Sequence, residues 1–150
     1  MDASFKLADS SDTDVLAKLM QEYYDFDHLT FDDHVARAAL RQILGDDSLG
    51  RVWLIQHGED VIGYVVLTLG FSLEFKGRDA FIDELYIRES YRHEGIGKRA
   101  LQFVEDVCRS LGVQSLHLEV EQANVNAQEF YRKSGFVDHA RYLMTKWISS

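Results

Sequence analysis

The apolar residues of this chain change their spacing at a pair of glycines in YRHEGIGKRAL, residues 91–101, and this change constrains the fold more than any other feature. Before the glycines, AFIDELYI has the composition of a strand. After them, apolar residues recur at helical spacing until Gly112, which predicts a helix end. QSLHLEVE then alternates like a second strand. This order predicts a β-α-β crossover, and therefore a sheet with helices packed on it.

The other segments extend this unit to a mixed α/β fold. SFKLA, residues 4–8, predicts a short first strand, and SSDTD offers Ser11 as the N-cap of a helix. A second helix is expected over 32–44, with Gly45 as its stop. RVWLIQ, VIGYVVLTLGFSLEF and AFIDELYI predict three strands joined by hairpins. ANVNAQEFYRKSG predicts a short helix and RYLMTKW a final strand, so the predicted order is β-α-α-β-β-β-α-β-α-β.

Composition narrows the class of protein. The 150 residues suit a single domain, 1–150. Sixteen basic against 25 acidic residues give a net charge of −9, which argues against nucleic acid as a partner and is compatible with a cationic small molecule. No apolar run approaches the roughly 20 residues of a membrane span, and the N-terminus lacks the pattern of a signal peptide. The single cysteine cannot form an internal disulfide, so a cytoplasmic location is expected.

The glycine segment has the makings of an anion site. Glycines allow a backbone to approach an anion closely, and the first amides of a helix have no partner of their own. Arg92 and Lys98 could add charge-assisted contacts. The segment does not match the P-loop, because Arg99 follows Lys98, nor the three-glycine dinucleotide motif, because Ala100 occupies the third position. From these residues alone, an ordinary glycine-containing turn is the alternative.

A second motif, N-x-x-A-x-x-x-Y-x-x-x-G-F from Asn124 to Phe136, follows the glycine turn. Together with R-x-x-G-x-G, it makes the chain resemble the GNAT superfamily of N-acetyltransferases. The resemblance covers nearly the whole chain, from Phe5 to Trp147, because the element order also matches. It implies a single GNAT-like domain with a mixed, splayed β-sheet of six to seven strands flanked by about four helices.

The resemblance implies acetyl-CoA as the cofactor. Its pyrophosphate would lie on the amides of the glycine turn, and its pantetheine would run beside the end of DELYI like an additional strand. The residues implied to bind the cofactor are Leu85, Tyr86, Ile87, Arg92, His93, Glu94, Gly95, Ile96, Gly97, Lys98, Asn124 and Tyr131.

Three residues are candidates for catalysis. Tyr131 matches the family's tyrosine, which protonates the leaving thiolate as a general acid; a packed aromatic is the alternative. Family members often use a carboxylate on the strand before the glycine turn as the base, and here Asp83 is the first candidate and Glu84 the second. Successive strand residues face opposite sides, so at most one of the two is expected to face the cleft.

The acceptor pocket of this family is partly formed by the first two helices. That region reads EYYDFDHLTFDD here, and its carboxylates and aromatic rings suit a cation, although a solvated helix face would explain them too. The predicted substrate-binding residues are Tyr23, Tyr24, Asp25 and Asp83. The histidines show no metal-ligand spacing, so no metal is expected, and Cys108 is expected in the core.

The resulting hypothesis is an acetyl-CoA-dependent N-acetyltransferase that acts on a primary amine, such as a polyamine or an amino sugar, by direct attack in a ternary complex. A homodimer is possible, because dimers are common in the family. The alternatives are acetylation of a protein N-terminus or lysine, a CoA-binding regulatory module without catalysis, and a nucleotide-binding module.

Overall fold

The computed structural model describes residues 2–149. Their helices and strands occur in the following order: β1 (Ala3–Leu7), α1 (Thr13–Phe26), α2 (Asp33–Leu44), β2 (Gly50–His57), β3 (Asp60–Ser72), β4 (Gly77–Ile87), α3 (Ile96–Ser110), β5 (Ser115–His117) and α4 (Val125–Lys133). The chain forms two compact units, and the boundary between them in the sequence lies between Glu119 and Val120. The first holds every strand and α1 to α3, and the second holds α4 and the residues that follow it.

The first unit contains one mixed sheet in the order β1-β2-β3-β4-β5. The pairs from β1 to β4 are antiparallel, as the predicted hairpins require, and β4 pairs with β5 in parallel. The parallel pair confirms the β-α-β crossover through α3. The predicted α/β class is confirmed, although the described residues form five strands where six to seven were predicted.

The missing strand is the predicted one at RYLMTKW. Residues 141–147 form no strand within the described chain, and QSLHLEVE is paired over Ser115–His117 alone. A segment with strong β propensity still needs a neighbouring strand to satisfy its backbone, and 141–147 has none among residues 2–149. Its large apolar side chains are consequently exposed: Trp147 has 86% of its surface accessible.

Helices cover both faces of the sheet in the first unit. Val52 and Leu54 of β2 pack with Leu16 and Leu40 of the two first helices. Ile55, on the other face of the same strand, packs in a cluster with Ile96 and Ala100 of α3. Central strands with two covered faces are apolar on both sides, which explains the near-continuous apolar runs in β2 and β3. Cys108 lies buried on α3, as predicted.

The helix ends follow the local sequence with one exception. Gly45 caps α2, and Gly112 follows α3 with a φ of 73°, as predicted. The prediction for Ser11 was wrong, because the N-terminal capping box belongs to Asp9 and Asp12, which bracket a 3₁₀ turn that leads into α1. Within residues 2–149, no helix has the length and apolar character needed to cross a membrane.

Candidate active site

A β-bulge lies at Asp83 in the middle of β4. Glu84 pairs with Val66, and Ile82 pairs with Leu67, so Asp83 is an extra residue between two successive pairs. A bulge interrupts the alternation of side chains along a strand. The expectation that Asp83 and Glu84 face opposite sides was therefore wrong, because both line the same cavity.

Two phenols hold the Glu84 carboxylate. Tyr64, fully buried on β3, donates its hydroxyl to Oε1 over 2.7 Å. Tyr24, on α1, donates to Oε2. Both oxygens of Glu84 are thus engaged by neutral donors, whereas Asp83 has no hydrogen-bond partner among residues 2–149. The two neighbouring carboxylates are therefore unlike: one is fixed by the protein, and the other is free to accept a proton.

Burial raises the pKa of both carboxyl groups. For Asp83 desolvation is the cause, although one side of the residue is open to solvent. For Glu84 desolvation outweighs the hydrogen bonds from Tyr24 and Tyr64, which favour the charged form, and the charge of Asp83 adds to the increase in pKa. The same burial, with Glu84 close by, raises the pKa of both phenols, which keeps them protonated as donors.

The cavity beside the bulge has a volume of about 210 Å³. It is open on one side and is lined by α1, α2, β3 and β4, all in the first unit. Its lining consists of Met20, Tyr24, Ala36, Ala39, Leu40, Ile43, Val66, Asp83 and Glu84. Six of these nine side chains are apolar, so the carboxylates and Tyr24 are the polar groups of the cavity.

Residues 2–149 contain no group of three or more His, Cys, Asp or Glu side chains placed to hold a metal ion.

An ion pair holds α1 over the end of β4. The Arg88 guanidinium donates to both oxygens of Glu22, over 2.9 and 2.8 Å. Tyr86 adds its hydroxyl to the same carboxylate over 3.2 Å. These contacts hold the pKa of Glu22 below its usual value, with the Arg88 hydrogen bonds as the main cause. The carboxylate of Glu22 is therefore engaged by hydrogen bonds within the protein.

The rest of the acidic segment is also engaged in part. Asp32 caps α2 by accepting from the Val35 amide, and Asp33 pairs with Arg37 over 2.9 Å. Asp25 is exposed and does not line the cavity. These positions weaken the argument that the whole segment binds a cation.

Of the four predicted substrate-binding residues, the structure brings two together. Tyr24 and Asp83 both line the cavity. The Tyr23 ring packs on those of Tyr24 and Tyr86, with centroids 5.5 and 5.7 Å away, and so belongs to the edge of the core. The role assigned to Tyr23 and Asp25 stays a prediction.

The glycine turn has the backbone of an anion site. His93 and Gly95 adopt left-handed conformations, with φ of 66° and 78°, just before α3 begins. A Cβ atom added to Gly95 would meet no other atom within 4 Å, so the space around it is open. The amides of Ile96, Gly97 and Lys98 meet no acceptor among residues 2–149. Unpaired amides at such a helix start favour a negative group.

Arg92 is held on the α1 side of this turn. Its Nε donates to the Ile87 carbonyl over 2.8 Å, and its guanidinium lies over the Phe26 ring, 4.5 Å from the centroid. The Tyr86 ring is also close, at 5.8 Å. The contact of Arg92 with an anion stays a prediction, and the contacts of this structure give the side chain a role in joining the ends of β4 and α1.

The sheet opens beside the site. The parallel pair of β4 and β5 extends from Asp79 opposite Ser115 to Phe81 opposite His117. Beyond Phe81, β4 continues to Ile87 with β3 as its one strand partner among the described residues. The backbone of β4 from Ile82 onward therefore has no second strand partner among residues 2–149.

The predicted acid lies in the second unit. Tyr131, on α4, packs edge-on against the Phe136 ring, with centroids 5.8 Å apart, and burial raises the pKa of its phenol. Asn124 caps the same helix, since its Oδ1 accepts from the Ala127 amide. Both residues of the second motif thus have a structural role within their own unit.

Sequence reasoning missed the residues that shape the cavity. In the sequence, Tyr64 is indistinguishable from the other apolar positions of a buried strand. The register between β3 and β4 is what brings its hydroxyl to Glu84. The stripe on α2 reads as an ordinary amphipathic face. A polar atom in an otherwise apolar run was the one signal that could have drawn attention to Tyr64.

A family model described as "Acetyltransferase (GNAT) family" matches residues 14–136. The chain belongs to this family. The predicted resemblance is therefore confirmed, and the family model spans both units.

Relatives and solved structures agree with this membership. Thialysine N-epsilon-acetyltransferase of Bos taurus is 31% identical over 81 residues, which are 54% of this chain and 47% of that protein. The chain therefore matches about half the length of this relative. The crystal structure of an integron cassette protein from the mobile metagenome of Cole Harbour Salt Marsh is 35% identical, with a TM-score of 0.86 over 97% of this chain and 91% of that one.

A more distant structure shares the fold. The crystal structure of a predicted acetyltransferase from Clostridium acetobutylicum with acetyl-CoA has a TM-score of 0.82 at 16% identity, over 97% of this chain and 96% of that one.

Proposed function

We propose that this GNAT protein is an N-acetyltransferase that moves an acetyl group from acetyl-CoA to the primary amine of a small molecule. The observation that carries the proposal is the cavity beside the β4 bulge, where the unpartnered Asp83 carboxylate lies next to the fixed Glu84. Carboxylates in a partly apolar site suit an amine, which must bind and then lose a proton. The bovine relative is named for acetylation of a small-molecule amine, which supports this class of acceptor.

The residues of the first unit fit acetyl-CoA. The unpaired amides at the start of α3 suit a pyrophosphate, and Lys98, which is exposed, could add its charge. The edge of β4 from Ile82 to Ile87, which has no second strand partner among residues 2–149, suits the amides of a pantetheine arm. When bound, acetyl-CoA supplies the acetyl group as an activated thioester.

Asp83 is the proposed base. Its carboxylate has a free lone pair toward the cavity, and its increased pKa brings it nearer to that of the ammonium from which it takes a proton. Glu84 is less suited, because both of its oxygens already accept from phenols. Its proposed role is to hold negative charge beside Asp83 and so to favour a cation in the cavity.

Tyr131 is the proposed acid. Burial raises the pKa of its phenol, so Oη holds its proton at neutral pH and can give it to a departing thiolate. Transfer is proposed to be direct, from acetyl-CoA to the amine. The one cysteine, Cys108, is poorly suited to carry the acetyl group, because it is buried on α3 and burial raises the pKa of its thiol.

The test is release of free thiol from acetyl-CoA by purified protein with a panel of amines, amino acids, amino sugars and short peptides. We expect turnover with at least one small amine, and a large loss of kcat with nearly unchanged CoA binding in Tyr131→Phe. Bound CoA without turnover on any small amine would contradict the proposal, and turnover on peptides alone would transfer it to a protein acceptor.

The binding of CoA has its own test. Gly97→Trp should remove it, because the indole would fill the space over the first amides of α3. An unchanged affinity for CoA would show that the turn is not the phosphate site.

A further inference from the structure

We propose that the acceptor is a compact amine with one positive charge and an aliphatic body, which the apolar wall of the β4 cavity recognises. This inference rests on the proposed function and names the substrate class of the same site. It differs from the polyamine or amino sugar that the acidic EYYDFDHLTFDD segment suggested.

The apolar wall is a helical stripe. Ala36, Ala39, Leu40 and Ile43 follow one another at the i, i+3, i+4, i+7 spacing of a single face of α2, and all four line the cavity. Met20 on α1 extends this surface. Because these side chains offer no hydrogen-bonding group, whatever occupies this part of the cavity is recognised by shape and burial.

The charged wall is small by comparison. Asp83 and Glu84 come from adjacent positions of the bulge, so their carboxylates serve one place in the cavity. The phenol of Tyr24 is already donated to Glu84. One ammonium group can be neutralised here, and a second one farther along the same molecule would lie against the apolar stripe.

The volume indicates a small buried body. About 210 Å³ is below the roughly 300–1,000 Å³ of pockets for drug-sized ligands. A water molecule takes about 30 Å³ of liquid, so the cavity covers about seven non-hydrogen atoms. A short alkylamine fits within it, whereas a sugar ring with its hydroxyl groups would extend through the open side into solvent.

A second charge should be rejected because an ammonium without a partner in an apolar environment is costly to desolvate. Carboxylates that could have served it lie elsewhere: Glu22 is held by Arg88, Asp33 by Arg37, and Asp25 does not line the cavity.

The experiment compares 1-aminopentane with 1,5-diaminopentane, which has the same chain and a second amine, and with glucosamine. Thiol release from acetyl-CoA gives kcat/KM for each, and calorimetric titration gives binding without chemistry. We expect kcat/KM for 1-aminopentane to exceed that for the diamine by at least about tenfold. Equal or better turnover of the diamine or of glucosamine would overturn the inference and leave the proposed function standing.

A matched pair of variants tests the cavity directly. Ala39→Leu adds bulk to the exposed rim of the cavity, whereas Ala38→Leu makes the same change at the neighbouring residue, which is likewise exposed and does not line the cavity. Ala39→Leu should reduce kcat/KM for 1-aminopentane about tenfold while sparing ethylamine. Ala38→Leu should leave both unchanged. Equal effects of the two substitutions would contradict recognition by this wall.

Binding measurements distinguish failure of the acceptor inference from failure of the proposed function. If calorimetry shows 1-aminopentane bound more tightly than the diamine but no acetyl transfer follows, the cavity assignment stands and the proposed function fails. If neither amine binds and neither is acetylated, the inference fails, and turnover across the full panel of amines decides the proposed function.

Discussion

At the scale of single residues, the site depends on two adjacent carboxylates with different surroundings. Glu84 receives two phenol hydroxyls, one of them from the fully buried Tyr64, and Asp83 receives none from residues 2–149. The surroundings of the two carboxylates, more than their residue type, therefore distinguish them, so one strand can provide both a fixed charge and the proposed base.

Asp83→Asn should reduce kcat/KM strongly, because the amide cannot take a proton from the amine. Burial raises the pKa of Asp83. On acidification, the wild-type rate should therefore begin to fall at a higher pH than the ordinary aspartate pKa of about 3.9 would give. Kinetics from pH 5 to 9 test this, with Asp47→Asn, on the exposed loop before β2, as the control. A larger loss in Glu84→Gln would instead identify Glu84 as the base.

The same variant should be more stable at neutral pH. A carboxyl group with an increased pKa in the folded chain contributes stability while it is protonated, and this contribution is lost as the pH rises through the folded pKa. Asp83→Asn has no charge to desolvate, so its Tm should exceed that of the wild type at pH 7, and the difference should shrink toward pH 4. An identical pH dependence of Tm in both proteins would contradict the burial of this group.

Tyr64→Phe should raise the pKa of Glu84 further, because Oε1 would lose its buried donor. A hydrogen bond to a charged group contributes about 1.5–3 kcal/mol, and a loss of this order in the free energy of unfolding is expected. Carbon-detected NMR titration of the glutamate carboxyls and chemical denaturation measure the two effects. Tyr24→Phe is the comparison, and the more exposed phenol should cost less stability.

At the scale of helices and strands, the spacing of apolar residues was sufficient to predict most elements. It did not predict local irregularities within them. The crossover through α3 and the hairpins from β2 to β4 follow from spacing and glycines. The bulge at Asp83 does not, because an extra residue in one strand is defined only by pairing with its neighbour. For the same reason RYLMTKW has the composition of a strand, yet forms none within residues 2–149.

The candidate site was predictable in part. The glycine turn, Tyr131 and the pair Asp83 and Glu84 were proposed from motifs, since each lies at a fixed distance along the chain from a recognisable feature, and their functional roles stay predictions. The apolar stripe of α2 and the Tyr64 donor were not, because they approach β4 only through tertiary packing.

Gly95→Ala tests the turn against a matched substitution elsewhere. Gly95 and Gly112 have nearly the same left-handed φ, 78° and 73°, and an added Cβ meets nothing within 4 Å at either position. Both alanine variants should lose about 1 kcal/mol of stability from backbone strain. Only Gly95→Ala should also weaken CoA binding, measured by calorimetry. Equal CoA affinities in the two variants would separate Gly95 from the cofactor site.

At the scale of the whole molecule, the net charge of −9 should assist a cationic acceptor. The field of the protein raises the local concentration of an amine, and salt screens this field over about 10 Å at 0.1 M. KM for a singly charged amine should therefore rise about twofold or more between low and high ionic strength. Sodium chloride and sodium acetate at equal ionic strength should act alike, and a KM that falls with salt would contradict the prediction.

The exposed segment near the C-terminus has a spectroscopic consequence. The chain has two tryptophans, of which Trp53 is buried in the sheet and Trp147 is open to solvent. Quenching of tryptophan fluorescence by iodide, which requires contact with the indole, should therefore report on Trp147 almost alone. The native protein thus carries an intrinsic fluorophore that will reveal, without any label, when another molecule or a second copy of the chain covers residues 141–147.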